Sequence, residues 1–208
     1  MSRTRLVLIP PTADSPAPWL TVDADGNVLE RGLLTLETPF AGPPIRTVAV
    51  APGADILVRF LDLPKGTIAQ TRAAALWSLK DQLAATTDRV RIAVGPAPAE
   101  GLRVVAVVGE ALLAAWVDWL AGLGLKADVI VPASLTLTEP ADDLTLTAVG
   151  FGATLALRGR DFAAGVDPDM AEAIAGGRRI EPARGRADRG HADRRRPEPA
   201  GQSAAIGR

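Results

Sequence analysis

The spacing of hydrophobic and polar positions changes several times along this chain, and each change marks an element. Leu6-Val7-Leu8-Ile9 is a short apolar run closed by Pro10-Pro11 and predicts a strand. Residues 19–22 and 28–36 predict two more, separated by the turn Asp23-Ala24-Asp25-Gly26-Asn27, so three consecutive antiparallel strands are expected. Beyond a linker at 39–44, residues 46–51 end at Pro52-Gly53 and residues 56–61 lead to Leu63-Pro64, which adds two strands. A helical period then takes over. Thr67, with Gln70 three residues later, forms a capping box. Ile68, Ala75, Leu76, Leu79 and Leu83 make the buried stripe, Trp77 lies at its edge, and Arg72, Lys80 and Asp81 point outward. Another strand, 90–94, precedes Gly95-Pro96.

The stretch 102–132 organises the rest. Residues 102–108 are rich in β-branched side chains and end at Gly109, and residues 126–131 form a similar run stopped by Pro132. Between them Leu112, Leu113, Trp116, Val117, Leu120 and Leu123 recur at helical spacing, with Gly122 and Gly124 to end the helix. This pattern predicts a βαβ unit whose two strands are buried on both faces of a parallel sheet covered by helices. A short helix or turn is expected around 134–137. From Leu144 the pattern returns to short strands, 144–149, 154–158 and 162–166, joined by Gly150-Phe151-Gly152 and Gly159-Arg160-Asp161, and Asp167-Pro168 starts a last short helix through Ile174. The expected organisation is a first unit at 1–143, the opening of a second that echoes it at 144–177, and a tail at 178–208.

Composition places the chain among globular α/β proteins. Its 208 residues are 48% hydrophobic, enough for a sizeable core. The formal charge of −1 hides an asymmetry, because 178–208 holds nine Arg against four acidic residues (+5), leaving 14 basic and 20 acidic residues before it (−6). An acidic body with a basic tail is not the footprint of a nucleic-acid-binding domain, and the Arg/Pro/Gly/Ala composition of the tail reads as disorder. With no cysteine, a disulfide framework and a thiolate zinc site are excluded, which fits a reducing compartment. No apolar run reaches about 18 residues, and the apolar run near the start is too short for a signal-peptide core. As written, the sequence reads as soluble and unexported.

No reactive constellation emerges. The single histidine, His191, lies in the tail, which removes a Ser-His-Asp arrangement or a histidine metal site. The pairs Asp23/Asp25, Asp142/Asp143 and Asp167/Asp169 all fall in turns, where Asp bonds the backbone two residues on. Asp23 to Asn27 resembles the start of a calcium loop, but its twelfth position is Leu34 rather than glutamate. Gly150-Phe151-Gly152 joins two strands with no helix behind it, so it reads as a hairpin turn and not a phosphate cradle. Neither a P-loop nor a dinucleotide fingerprint occurs. No catalytic, cofactor-binding or metal residue is therefore assigned. Trp77 and Trp119 are the candidate partner-contact residues, since aromatic side chains dominate interface hot spots, against the simpler reading that they roof the sheet.

One resemblance runs through the chain. It is carried by Val50-Ala51-Pro52-Gly53-Ala54-Asp55-Ile56-Leu57, by Leu63-Pro64 leading into Ala73-Ala74-Ala75-Leu76-Trp77-Ser78-Leu79-Lys80-Asp81-Gln82-Leu83-Ala84, by Ile92-Ala93-Val94-Gly95 and Val105-Ala106-Val107-Val108, and by Ala115-Trp116 onward to Gly124-Leu125 and Val131-Pro132. In pattern and spacing over 5–175 the chain resembles the cytoplasmic domain of the type II secretion system protein L family. The resemblance implies an actin-like ATPase, ribonuclease-H-like α/β architecture with mixed sheets and two related halves, the second incomplete. It also implies a non-enzymatic scaffold at the cytoplasmic face of the bacterial inner membrane, without cofactor. That scaffold binds the amino-terminal domain of the secretion ATPase and other inner-membrane platform proteins, and it leaves a homodimer open. Active relatives of this fold grip phosphate with Asp- and Gly-bearing turns. Here the first such turn, 10–18, lacks glycine, and the second, 150–154, lacks aspartate. The alternatives are an actin-like ATP-binding protein of the pilus-assembly type and an enzyme with an unrecognised site. Family members continue into a membrane-spanning helix and a periplasmic domain, whereas this sequence ends in the Arg-rich segment.

Overall fold

Burial alternates along β1 (Thr4–Leu8), because successive side chains point to opposite faces, and this sets up the layers on either side. A computed structural model describes residues 3–83, 86–98 and 101–183. β1 pairs antiparallel with β2 (Ala17–Val22), Val7 lying opposite Trp19, and β2 pairs in the same sense with β3 (Val28–Leu34). On its other side β1 runs parallel to β4 (Arg46–Ala51), which is parallel to β8 (Val129–Pro132). The first sheet therefore has the order β3-β2-β1-β4-β8. A second, antiparallel sheet has the order β5-β7-β6, built from β5 (Leu57–Leu61), β6 (Val90–Val94) and β7 (Arg103–Gly109).

The expected βαβ unit is corrected here. β7 joins the antiparallel sheet and β8 joins β4, so the helix between them, α2 (Glu110–Gly122), does not connect neighbours in one sheet. Its single apolar stripe closes a core to which both sheets contribute. Trp116 and Leu120 are buried in one core with Val7, Ile9 and Ala49 from the first sheet and Val58 from the second, and Leu112, Leu113 and Trp119 pack against that core. The parallel neighbours that the pattern implies exist, but they are β1, β4 and β8. Edge strand β8 is also less buried than expected, with Val129 exposed. α2 ends where its glycines predict: Gly124 takes φ +73°, its N–H donates to the Ala121 carbonyl, and Leu125 N–H reaches the Leu120 carbonyl, both at 2.9 Å.

The opposite face of the second sheet carries α1 (Ile68–Leu79). Its capping box forms as expected: Thr67 Oγ1 accepts from Gln70 N at 3.3 Å and Thr67 N donates to Gln70 Oε1 at 2.9 Å. The buried stripe is Thr71, Ala75 and Leu79 and does not include Ile68, which is 69% exposed. Thr71 can occupy that stripe because its hydroxyl donates to the Thr67 carbonyl at 3.0 Å.

A third sheet repeats the wiring of the first. β9 (Thr145–Phe151), β10 (Thr154–Arg158) and β11 (Ala163–Val166) form the expected meander. After α3 (Ala171–Ala175), β12 (Arg179–Pro182) lies parallel beside β9, with Ile180 opposite Leu146. The expectation of a disordered tail from 178 is thus corrected at its start. Ile180 packs against the cluster of Leu146, Leu157 and Ala171, and the Arg179 and Ala183 N–H groups bond the Leu144 and Ala148 carbonyls at 2.7 and 2.8 Å. Averaging the arginines over 31 residues hides a four-residue strand. The remainder of that segment, His191 included, lies outside the described residues.

The third sheet docks on the first through Phe151 and Ala156 against Val50 and Ala133. It also docks edge-on through β11 against the turn Gly53–Asp55, where backbones nearly touch: a Cβ built on Gly165 would lie 2.3 Å from Ala54 N. Arg158 of β10 joins three segments. Its Nη2 lies 2.6 Å from a Glu139 carboxylate oxygen, its Nη1 donates to the Phe162 carbonyl at 3.4 Å, and its guanidinium stands 4.9 Å from the Phe60 ring centroid on β5.

Candidate functional site

Two of the three acidic pairs, Asp23/Asp25 and Asp142/Asp143, are explained by their turns through Asp23 and Asp142. Asp23 Oδ1 accepts the Asp25 and Asn27 N–H groups, both at 2.9 Å, and Oδ2 accepts from Asn27 Nδ2 at 2.9 Å. These bonds, the Asn27 side-chain amide foremost, hold its carboxyl below the usual carboxylate range. Asp142 likewise accepts from Leu144 N at 2.9 Å and from the Thr145 hydroxyl at 3.2 Å. Asp167 departs from the expected pattern: its backbone carbonyl takes the Met170 N–H at 2.9 Å and its side chain does not cap the turn. Among the described residues no three acidic or histidine side chains converge as metal ligands.

The β1–β2 loop and the β9–β10 turn approach each other. Gly152 takes φ +59° in the β9–β10 turn, and a Cβ there would lie 3.0 Å from Pro11 Cγ of the β1–β2 loop. Each turn is closed by its own bonds, Ser15 N to the Thr12 carbonyl at 3.1 Å in one and the Thr154 hydroxyl to the Phe151 carbonyl at 2.9 Å in the other.

The two candidate tryptophans lie apart, because α1 and α2 cover opposite faces of the second sheet. Trp77 is 71% exposed on open surface, with the Lys80 ammonium 3.8 Å from its ring centroid. Trp119 is half-buried, and its Nε1 donates to the Ala13 carbonyl at 3.1 Å, tying α2 to the β1–β2 loop. It lines a groove of about 420 Å3 with Leu123, between Asp14 and Ser15 on one side and Leu36 and Glu37 on the other. Both walls are braced by turn bonds, Thr12 to Ser15 and Thr35 to Thr38, each hydroxyl pair at 2.8 Å. The ion pairs among the described residues are Arg91–Glu110, Arg158–Glu139, Arg160–Asp143 and Arg179–Glu181, so neither Asp14 nor Glu37 pairs with a cation among the described residues. Sequence reasoning found Trp119 but not Asp14, Leu36 or Glu37. Loop residues so far apart in sequence share no period or spacing that would announce their convergence.

A family model described as type II secretion system (T2SS), protein L, matches residues 6–171. No curated protein matches the chain in sequence. Among solved structures, the chain is similar to the cytoplasmic domain of EpsL, an inner membrane component of the type II secretion system of Vibrio cholerae. The TM-score is 0.66 at 20% identity, over 83% of this chain and 74% of that one. It is also similar to the PilM-PilN type IV pilus biogenesis complex, with a TM-score of 0.59 at 18% identity, over 83% of this chain and 65% of that one. A Bacteroides thetaiotaomicron protein with an actin-like ATPase fold and unknown function gives 0.50 at 6% identity, over 87% and 80%. The fold is thus actin-like, with the mixed sheets described above.

Proposed function

The chain belongs to the type II secretion system protein L family, and from that premise we propose that it is a non-enzymatic scaffold of the inner-membrane secretion platform that binds and positions the secretion ATPase. The observation that supports this reading is the close approach of Pro11 to Gly152, since the resemblance implies that active relatives of this fold hold phosphate with glycine- and aspartate-bearing turns at these two places. The acidic pairs support it too, because those of Asp23 and Asp142 are spent on their own turns. On this reading the chain takes no cofactor and works at the cytoplasmic face of the inner membrane. Its partners are the amino-terminal domain of the ATPase and other platform proteins. Residues 1–143 and those from 144 through β12 act as the two related halves. No helix among the described residues is long and apolar enough to cross a membrane, so attachment on this reading runs through partners or through segments beyond those described.

Calorimetry against the amino-terminal domain of the cognate secretion ATPase tests the proposal; no heat at tens of micromolar removes it. The alternative, an actin-like ATP-binding protein of the pilus-assembly type, is tested by melting with Mg-ATP. A ligand at about 100 times its Kd stabilises by about 2.7 kcal/mol, which in a chain of this size raises Tm by about 5–10 °C. The scaffold reading expects no shift.

A further inference from the structure

We infer that the Trp119 groove is a docking site for an arginine- or lysine-bearing segment of a partner protein. The inference rests on the scaffold reading for the partner's identity and on the groove itself for its chemistry. The floor is aromatic and apolar, formed by Trp119 and Leu123, with Leu36 half-exposed beside it. The indole N–H is already committed to the Ala13 carbonyl, so the ring is held in place and what remains to offer a ligand is its π surface. Asp14 and Glu37 come from the two loops that line the groove, exposed and without a cationic partner among the described residues. A long cationic side chain matches that combination, because its aliphatic stem covers the apolar floor while its charged head meets the indole and the two carboxylates. The turn bonds within each wall set the groove before anything binds, which lowers the ordering cost of recognition. Trp77, the other candidate, already carries its cation in Lys80 and lacks such walls.

The test uses the full chain labelled with 15N, which gives four indole N–H signals, one for each tryptophan. Trp119→Phe assigns the relevant signal. Titration with a blocked tetra-arginine peptide is expected to move the Trp119 signal saturably, whereas a blocked tetra-glutamate peptide leaves it in place. The isosteric double variant Asp14→Asn/Glu37→Gln, which keeps the groove's shape, is expected to weaken that binding at least tenfold. A Trp119 signal unmoved at about 1 mM peptide, or equal affinity in the double variant, overturns the inference. In a full-length Arg194→Ser/Arg195→Ser/Arg196→Ser variant the signal should stay where it is; a displaced signal assigns the groove to the chain's own arginines and overturns the partner reading. Calorimetry with the ATPase domain separates the two proposals. Loss of its binding in the double variant supports both, and binding untouched by the double variant overturns the groove while sparing the scaffold. No binding even to the unaltered chain removes the ATPase, and the peptide titration then decides the groove alone.

Discussion

Replacing Gly165 by alanine should be among the most damaging single-methyl changes in this protein. Gly165 sits on edge strand β11, pressed against the turn Gly53–Asp55, and the atoms a new Cβ would meet are backbone: Ala54 N and Gly53 C at 2.3 Å and Gly53 Cα at 2.6 Å. Ordinary contact between such atoms is about 3.5–4.0 Å, so the third sheet and the turn must separate by more than 1 Å. No side chain is available to rotate away. Overpacking of this kind costs about 1–3 kcal/mol, and the rigidity of both walls places Gly165→Ala near the top, about 2–3 kcal/mol. For a chain of this length that lowers Tm by about 4–12 °C.

Urea and thermal unfolding of Gly165→Ala beside Gly150→Ala isolate the cause. Gly150 lies in β9 of the same sheet, and a Cβ there meets nothing within 4 Å. Its alanine variant should fall within about 1 kcal/mol of the parent and on the stabilising side, because glycine loses more freedom on folding than alanine. Hydrogen exchange in Gly165→Ala should quicken at 53–58 and across β11 while β2 and β3 keep their protection. A Gly165→Ala protein within about 0.5 kcal/mol of the parent refutes the close-approach argument.

Thr67→Ala removes the side-chain half of the capping box at α1, the Gln70 N–H to Thr67 Oγ1 bond, while residue 67 keeps its N–H bond to Gln70 Oε1; it should cost about 1 kcal/mol, read from the urea midpoint, with Thr67→Asp retaining most of it. Arg5 lies buried beneath the Phe40 ring, 3.7 Å from its centroid, with Nη2 donating to the Pro43 carbonyl at 3.2 Å; burial lowers its pKa and the Glu30 charge opposes that. Among the described residues its guanidinium has no carboxylate within bonding reach, so Arg5→Met should lose under about 1.5 kcal/mol, and Arg5→Ala, which empties the space under Phe40, about 2–4 kcal/mol by thermal melting. The depressed pKa of Asp23 means that its support of the β2–β3 turn is full above the ordinary carboxylate range near pH 4 and fades as pH falls through the lowered folded value. Asn27→Ala should raise the Asp23 titration midpoint in a 13C NMR titration, and an unchanged midpoint contradicts the assigned cause.

Much of the fold could be read in advance because local chemistry specifies it. The Thr67/Gln70 cap, the Gly124 helix end and the Gly152 hairpin each lie where their residue types predict. What could not be read was which strands pair. The β7-α2-β8 pattern has the same period whether its two strands join one sheet or two, and only the pairing of β7 with β5 and β6 and of β8 with β4 distinguishes them. Ile68 shares helical phase with Leu79 to within about 20°, so the period predicts it buried; it stands at the first position of α1 and is exposed, and Thr71 takes the buried position by bonding back to Thr67. β12 was hidden by the arginine-rich composition of the segment around it, and the groove around Trp119 by the distance between its walls along the chain.

The repeated wiring offers a reason why the groove lies where it does. β1 to β4 and β9 to β12 each form a meander followed by a strand parallel to the first. The β1–β2 loop and the Gly152 turn are therefore equivalent positions in the two repeats, and here they touch through Pro11. On the proposed reading a loop released from holding phosphate is free to serve another contact, and three residues beyond the expected start of that turn it does so: the Ala13 carbonyl receives the Trp119 indole and Asp14 becomes one wall of the groove. A binding surface for protein would then have arisen from the same loop that lost its nucleotide, because the geometry that presents a loop to a ligand survives the loss of the ligand. Glycine at Pro11 tests the coupling: Pro11→Gly should loosen the loop and weaken tetra-arginine binding at Trp119, and binding left unchanged would show that the two sites share a loop but not a mechanism.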